Sequence, residues 1–314
     1  MDKDIPERIK LSNKAVSVTL HTTDATLAVR DARSGRTWRQ KPLGQAMVLG
    51  CRKAAGGLDV RMVGTADGRE LQVKLRLDAD RPELVASLSA KGPLAEPLLF
   101  PSPFVSGKGT YLVVPMNEGI SYPVDDETIR PMRLVAYGGH GICMAFFGAT
   151  DGQAGCMAIL ETPDDAAIDI RRADGLLCVA PMWQPQRGQF GYERRLRYVF
   201  LDRGGHVAMC KRYREYVKQQ GTLKTLAEKR KAIPAVDRLV GAVNVWCWER
   251  DALGIVKELQ AAGIERILWS HRRPPETIRA MNALPGVLTS RYDIYQDVMN
   301  PDNFRESGDS IQWP

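Results

Sequence analysis

From about residue 14 to residue 201, apolar and polar residues alternate with a period of two. Val16, Val18 and Leu20 alternate with polar neighbours, and Leu27 and Val29 continue the pattern after a break. Asp31 to Gly35 supplies a turn. Leu71, Val73, Leu75 and Leu77 alternate across Gln72, Lys74 and Arg76. Asp78 to Pro82 turns the chain, and Leu84, Ala86 and Leu88 alternate back. Period two predicts strands with one buried and one wet face. Four later runs are more continuously apolar: Gly141 to Gly148, Cys156 to Glu161, Leu176 to Met182 and Leu196 to Leu201. They suit central strands buried on both sides. Asp151-Gly152 and Ala173-Asp174-Gly175 punctuate them as turns. Many short strands with frequent turns predict a large antiparallel sandwich.

The period changes after Asp202. Val207, Cys210, Tyr213 and Val217 recur at three or four, one face of a helix that begins at Gly204-Gly205 and ends near Gly221. Lys224 to Lys231 is charged and reads as helical, and Ile233-Pro234 breaks it. A third pattern follows. Leu239 to Trp248 is an apolar run suited to a buried strand. Leu253, Val256 and Leu259 give helical spacing within Asp251 to Ala262, and Gly263 stops that helix. Arg266 to Ser270 is a second strand. Pro274-Pro275-Glu276 opens a second helix, Gly286 closes it, and Val287 to Tyr292 is a third strand. The order β-α-β-α-β with short loops is the unit of parallel sheets, and right-handed crossovers lay both helices on one face. The expected organisation is a sandwich over 1–203, a helical linker over 204–238, and a parallel unit over 239–314.

Length then matters. The sequence has 314 residues, enough for two domains. The parallel unit spans about 75 residues, whereas a (β/α)8 barrel needs about 250. A parallel sheet wants both faces covered and its edges paired. The expectation is therefore the front part of something longer, with a small appendage as the other reading. Such an open edge leaves room for oligomer formation.

Composition is ordinary for a globular chain: 44% hydrophobic and 26% charged. That excludes a disordered chain, a coiled coil and a collagen. No apolar stretch approaches a membrane span, and Met1 to Pro6 is polar, so the expected location is cytoplasmic. Formal charge is +7. The basic run around Lys211, Arg212, Arg214, Lys218 and Lys224 has no interleaved aromatics for base stacking and reads as a solvated helix face, not a nucleic-acid surface. The six cysteines form no C-x-x-C pair and read as reduced, mostly core residues. The four histidines have no metal-ligand spacing. Gly138-Gly139-His140-Gly141 reads as a turn, since it lacks the lysine and the helix of a phosphate loop.

Chemistry is expected where the parallel strands end, because the loops there build the site. Trp246 and Trp248 stand at the first end beside Glu249, and period two puts both indoles on one side. They suit a ligand with an apolar face and a polar rim, or else the core. His271, Arg272 and Arg273 stand at the second end, as hydrogen-bonding groups or as solvated charge. Asp293, Tyr295 and Asp297 share a face at the third if the chain stays extended. Carboxylates and phenols there can hold sugar hydroxyls; Asp297 can equally cap a turn.

Three segments carry a family resemblance. Tyr111 to Gly119 (YLVVPMNEG) resembles a strand and turn of a galactose-mutarotase-like β-supersandwich. Leu239 to Trp248 (LVGAVNVWCW) resembles a first barrel strand, and Ser290 to Asp297 (SRYDIYQD) a third-strand signature. Together they resemble the intracellular α-N-acetylgalactosaminidases and the related endo-α-N-acetylgalactosaminidases. The resemblance implies a multidomain α+β chain: a supersandwich followed by a partial (β/α)8 barrel. It implies a retaining glycoside hydrolase for α-linked N-acetylgalactosamine on mucin-type glycans, with an aspartate nucleophile and a glutamic acid/base about 5–5.5 Å apart. In the family these carboxylates lie beyond the third strand, so no catalytic residue is expected within this chain, which alone would be inactive. Trp246, Trp248, His271, Asp293 and Tyr295 become substrate-binding positions. Arg272 departs from the acidic residue expected after His271. Some relatives bind calcium, but the resemblance assigns no ligand set here. The expected partner is carbohydrate, without nucleic acid or membrane. A non-catalytic carbohydrate-binding or scaffold protein is the alternative.

Overall fold

The computed structural model describes residues 5–44, 46–64, 68–117, 119–136 and 141–290. Its contacts divide the chain into two units, 1–219 and 220–314. Each is described separately.

The first unit is a large antiparallel β-sandwich. A nine-stranded sheet runs from Ile120–Pro123 at one edge to Ala46–Ala54 at the other, with Arg194–Leu201 and Glu83–Ser89 side by side at its centre. A five-stranded sheet of Arg8–Ser12, Val16–His21, Thr26–Asp31, Thr37–Gln40 and Phe104–Val105 and a four-stranded sheet containing Ala166–Ala173 and Leu176–Trp183 complete it. One apolar cluster draws on all three sheets. The alternation seen in the sequence decides who enters it. Val16, Val18 and Leu20 are buried, while Ser17 and Thr19 are not.

The apolar runs behave differently, as expected of central strands. Leu112, Phe147, Cys156, Ala158 and Tyr198 enter the main core. Their alternates Val113, Phe146, Met157, Ile159 and Val199 form a second cluster on the opposite face with Met209. Helix α1, Gly205–Gln219, supplies Met209 and so covers that face. A Cβ on Gly148 would lie 2.8 Å from the Met209 sulfur, and one on Gly155 2.6 Å from its terminal methyl. Glycine at both positions thus makes the notch into which Met209 fits. Burial of each large apolar side chain here contributes about 1.5–3 kcal/mol.

Two local expectations in this unit are corrected. The strand expected from Gly141 begins only at Phe146, and Cys143 is exposed, with its thiol donating to the Pro115 carbonyl at 3.0 Å. The inner face of α1 is Met209, Arg212, Tyr213 and Tyr216, while Val207 and Cys210 are exposed. The reason is Arg212: its Nε donates to Glu83 at 2.6 Å and its guanidinium to the other Glu83 oxygen at 2.8 Å. A buried carboxylate inside the sheet turns a cationic residue inward. Arg197 reaches the same Glu83 at 3.1 Å and also holds Glu161 at 2.7 Å. A second buried pair, Asp165 and Arg194 at 2.7 Å, sits where Arg194 also covers the Phe190 and Tyr192 rings.

The second unit begins with helix α2, Leu226–Ala232, closed by a capping box between Thr225 and Glu228. A 3-10 turn over Pro234–Leu239 follows. Then come three parallel strands, Val243–Val245, Ile267–Trp269 and Val287–Thr289, in sequential order. Helices α3, Ala252–Ala261, and α4, Pro275–Asn282, connect them. Both helices share one apolar cluster with Ile267 and Trp269, built around Val256 and Met281. Asp251 caps α3 by accepting from the Gly254 amide at 2.9 Å. Gly286 has φ +72°, and a Cβ there would meet the Glu265 carbonyl at 2.2 Å, so the turn into the third strand needs glycine. The expected long buried strand from Leu239 is corrected: only Val243–Val245 pairs, and Leu239 and Val243 are largely exposed. No helix among the described residues is long and apolar enough to cross a membrane.

Candidate functional site

All three parallel strands point their C-terminal ends the same way, and the candidate residues gather there. In the first two strands, Asn244 pairs in register with Leu268, and Val245 with Trp269. Ile267 and Trp269 are buried in the cluster shared with the helices, which leaves Leu268 and Ser270 on the other face. On that face a polar row crosses the sheet. The Ser270 hydroxyl lies 2.6 Å from the Asn244 side-chain oxygen and 3.0 Å from the Ser290 hydroxyl.

Trp246 and Trp248 follow the first strand. They are 45% and 68% exposed, which removes the core reading of these indoles. Their rings lie 6.5 Å apart and tilted at 54°. The His271 imidazole meets the Trp248 ring edge-on at 5.4 Å. Strand ends that are not neighbours in sequence thus build one aromatic wall beside a histidine.

Arg273 holds this wall in place, a role the sequence does not single out, since there Arg273 is one polar residue among three at the strand end. Its guanidinium donates to the Cys247 carbonyl at 2.8 Å and the Glu249 carbonyl at 2.6 Å, gripping the backbone on either side of Trp248. It also contacts His271 Nδ1 and donates to the Arg272 carbonyl at 2.7 Å. Its cation sits 5.2 Å from the buried Trp269 ring. The available signal was position: a residue with five fixed donors at a strand end, just before two prolines. Asp293, Tyr295 and Asp297 lie outside the described residues, as does most of the Gly138 to Gly141 turn. Among the described residues no group of His, Cys, Asp and Glu could hold a metal ion.

The wall can do two things. Flat indole faces stack on the apolar face of a ring ligand, and the neighbouring imidazole and hydroxyls offer hydrogen bonds to its rim. No carboxylate pair accompanies them among the residues described at these strand ends.

No protein-family model matches the chain, and no curated protein does. Solved structures do. The α-N-acetylgalactosaminidase NagBb of Bifidobacterium bifidum in complex with GalNAc superposes with a TM-score of 0.72 at 17% identity, covering 94% of this chain and 61% of that one. Its ligand-free form gives 0.71 at 19% identity, over 91% and 59%. Its Gal-NHAc-DNJ complex gives 0.72 at 18%, over 94% and 61%. This chain spans about three-fifths of the length of those chains. At such identities the likeness is one of architecture: from its sandwich through its parallel unit, the chain has the fold of the corresponding part of an α-N-acetylgalactosaminidase.

Proposed function

We propose that this chain is a glycoside hydrolase-like, carbohydrate-binding protein whose 239–314 segment corresponds to the opening of a (β/α)8 barrel, after a sandwich over 1–203 and a helical connection over 204–238. The ligand is an α-linked N-acetylgalactosamine, the group recognised in the expected family. Trp246 and Trp248 stack on the sugar ring. His271 donates to or accepts from a ring hydroxyl, and Asp293 and Tyr295 contact further hydroxyls.

The observation that carries this reading is the exposed Trp246–Trp248–His271 wall at the C-terminal ends of parallel strands, where barrel enzymes build their sites. The fold-level likeness over 94% of the chain supports it. Retaining hydrolysis needs two carboxylates about 5–5.5 Å apart, and the proposed sugar contacts do not supply that pair. Binding without turnover by the 314 residues alone is therefore the expected behaviour.

Calorimetric titration with N-acetylgalactosamine and its α-glycosides tests this, together with an assay on an activated α-N-acetylgalactosaminide. Binding that is lost in Trp248→Ala, with no turnover, is the expected result. Robust hydrolysis by this chain would overturn the inactive part of the reading. Unchanged sugar binding in Trp246→Ala and Trp248→Ala would overturn the site. Binding and no turnover even in a longer product of the same gene would favour the non-catalytic alternative.

A further inference from the structure

Among the described residues that line it, the outer face of the five-stranded sheet carries cations and hydroxyls but no carboxylate. Arg8, Lys10, Arg30 and Arg39 stand exposed on it, and His21 is half-exposed. Register brings them together. Arg8 lies opposite His21, Lys10 opposite Thr19, Thr19 opposite Ala28, and Ala28 opposite Arg39. Arg30 lies between Ser17 and Thr37. The small side chains Ser17, Thr19, Ala28 and Thr37 thus floor a shallow hollow whose rim is basic.

Elsewhere in this unit cations are spent on carboxylates. Arg33 pairs with Asp31, Arg76 with Asp59, and Arg197 and Arg212 with Glu83. None of Arg8, Lys10, Arg30 and Arg39 has an ion pair with a described residue. Four charges with no ion pair among the described residues repel one another, a cost that an anionic ligand would relieve.

We propose that this face binds an acidic glycan through its sulfate or carboxylate groups. Cationic rim groups would hold the anions, Arg in bidentate fashion, and the hydroxyl floor would meet sugar hydroxyls. Charge complementarity selects an anion, and the lining selects among anions. Its lining holds no Phe, Tyr or Trp ring on which a nucleic-acid base could stack. It has no large apolar side chain to enter a lipid surface. The choice of a glycan over other anions rests on the proposed function. The site itself lies on residues 8–39, whereas the aromatic wall is built from residues 246–271.

The test uses the whole chain and a fluorescent chondroitin sulfate oligosaccharide, its desulfated counterpart, and a single-stranded RNA of equal charge. The sulfated oligosaccharide should bind at low salt and weaken steeply as salt rises, because the contacts are between solvent-exposed charges. The desulfated form should bind at least roughly tenfold more weakly, and Arg30→Glu/Arg39→Glu should lose a similar factor. Ala28→Glu, which puts a carboxylate at the centre of the floor, should do the same. Hydroxyl-radical footprinting of the unmodified chain should show protection within residues 8–39, which keeps the test independent of how the variants fold. No binding of the sulfated oligosaccharide, protection elsewhere, or unchanged affinity in both variants would overturn the proposal. Tighter binding of the RNA would overturn the glycan assignment. Trp248→Ala should leave this binding unchanged. Failure of neutral-sugar binding with sulfated binding intact would count against the aromatic wall and not against this face.

Discussion

The two units solve the same problem to different degrees. The sandwich covers both faces of its central strands from its own residues, with the five- and four-stranded sheets on one side and α1 on the other. The parallel sheet buries one face against α3 and α4, while Val243, Trp246 and Trp248 stay exposed. Burial of charge follows the same division. Glu83, Asp165 and Arg194 are almost fully buried in the sandwich and answered by partners. The second unit buries no ion pair among its described residues; its Arg230–Asp237 pair is at the surface. A closed core tolerates paired internal charge because it is large enough to enclose the pair. Among its described residues, the parallel sheet instead carries exposed Trp246 and Trp248 after its first strand.

This contrast is most severely tested at Asp165. Asp165→Ala leaves the buried Arg194 cation without its carboxylate and should cost about 3–5 kcal/mol. Urea unfolding followed by sandwich-specific hydrogen exchange measures it. A loss below about 1 kcal/mol would place the pair among ordinary surface bridges and remove the contrast. Trp269→Ala is the matching change in the other unit. It should cost about 3–5 kcal/mol of local stability, read as lost amide protection in 243–289 with the sandwich unaffected. Simultaneous loss of protection in the sandwich would show that the units unfold together.

Arg273→Ala comes next. Freeing the backbone at Cys247 and Glu249 should cost about 1–3 kcal/mol and shift the emission of Trp248 toward the red. Arg273→Lys should rescue little, because a single ammonium cannot repeat the forked contacts. If Arg273→Lys behaves as wild type, Arg273 is not the clamp. Thr225→Ala, at the capping box of exposed α2, should cost only about 1 kcal/mol, measured as helical content on thermal melting.

The smallest effect is one of pH. Burial pushes the Cys178 thiol up to about 11 and the Cys156 thiol higher still. In the unfolded chain both thiols ionise nearer pH 8.5. The folded form therefore holds these protons longer, and stability falls as pH rises from the unfolded thiol value toward 11. Cys178→Ala should flatten that fall. At pH 8 a thiol reagent should modify the exposed Cys143 and Cys210 and spare Cys156 and Cys178. Rapid labelling of Cys156 would show that the sandwich opens.

The sandwich was legible because its strands announce themselves locally. Val16, Val18 and Leu20 face one way and Ser17 and Thr19 the other, so patterning alone assigns their faces. The apolar runs at Cys156 and Leu196 likewise announced burial on both sides. Reading failed where charge acts over long sequence separations. Nothing near Arg212 indicates that Glu83 waits inside the sheet, so the helical period points Val207 and Cys210 inward together with Tyr213, and of these three only Tyr213 packs there. It failed again at Leu239, where an apolar run pairs only over Val243–Val245 and leaves Leu239 and Val243 partly exposed among the described residues.

At the site, the sequence named Trp246, Trp248 and His271 as strand-end residues, because short β-α-β spacing fixes where parallel strands stop. It could not choose between core and exposed tryptophan, since that depends on whether another layer covers them. It also could not find the Arg273 clamp, whose acceptors are backbone carbonyls that carry no sequence signal. What the sequence by itself determined is therefore the order of elements, their periods and the residues at their ends. Only the tertiary structure decided which charges are buried together, which indoles meet solvent, and which face of a sheet carries cations with no ion pair among the described residues. Those outcomes come from residues far apart in the chain sharing one low-dielectric interior or one exposed face, and local pattern carries no record of that meeting.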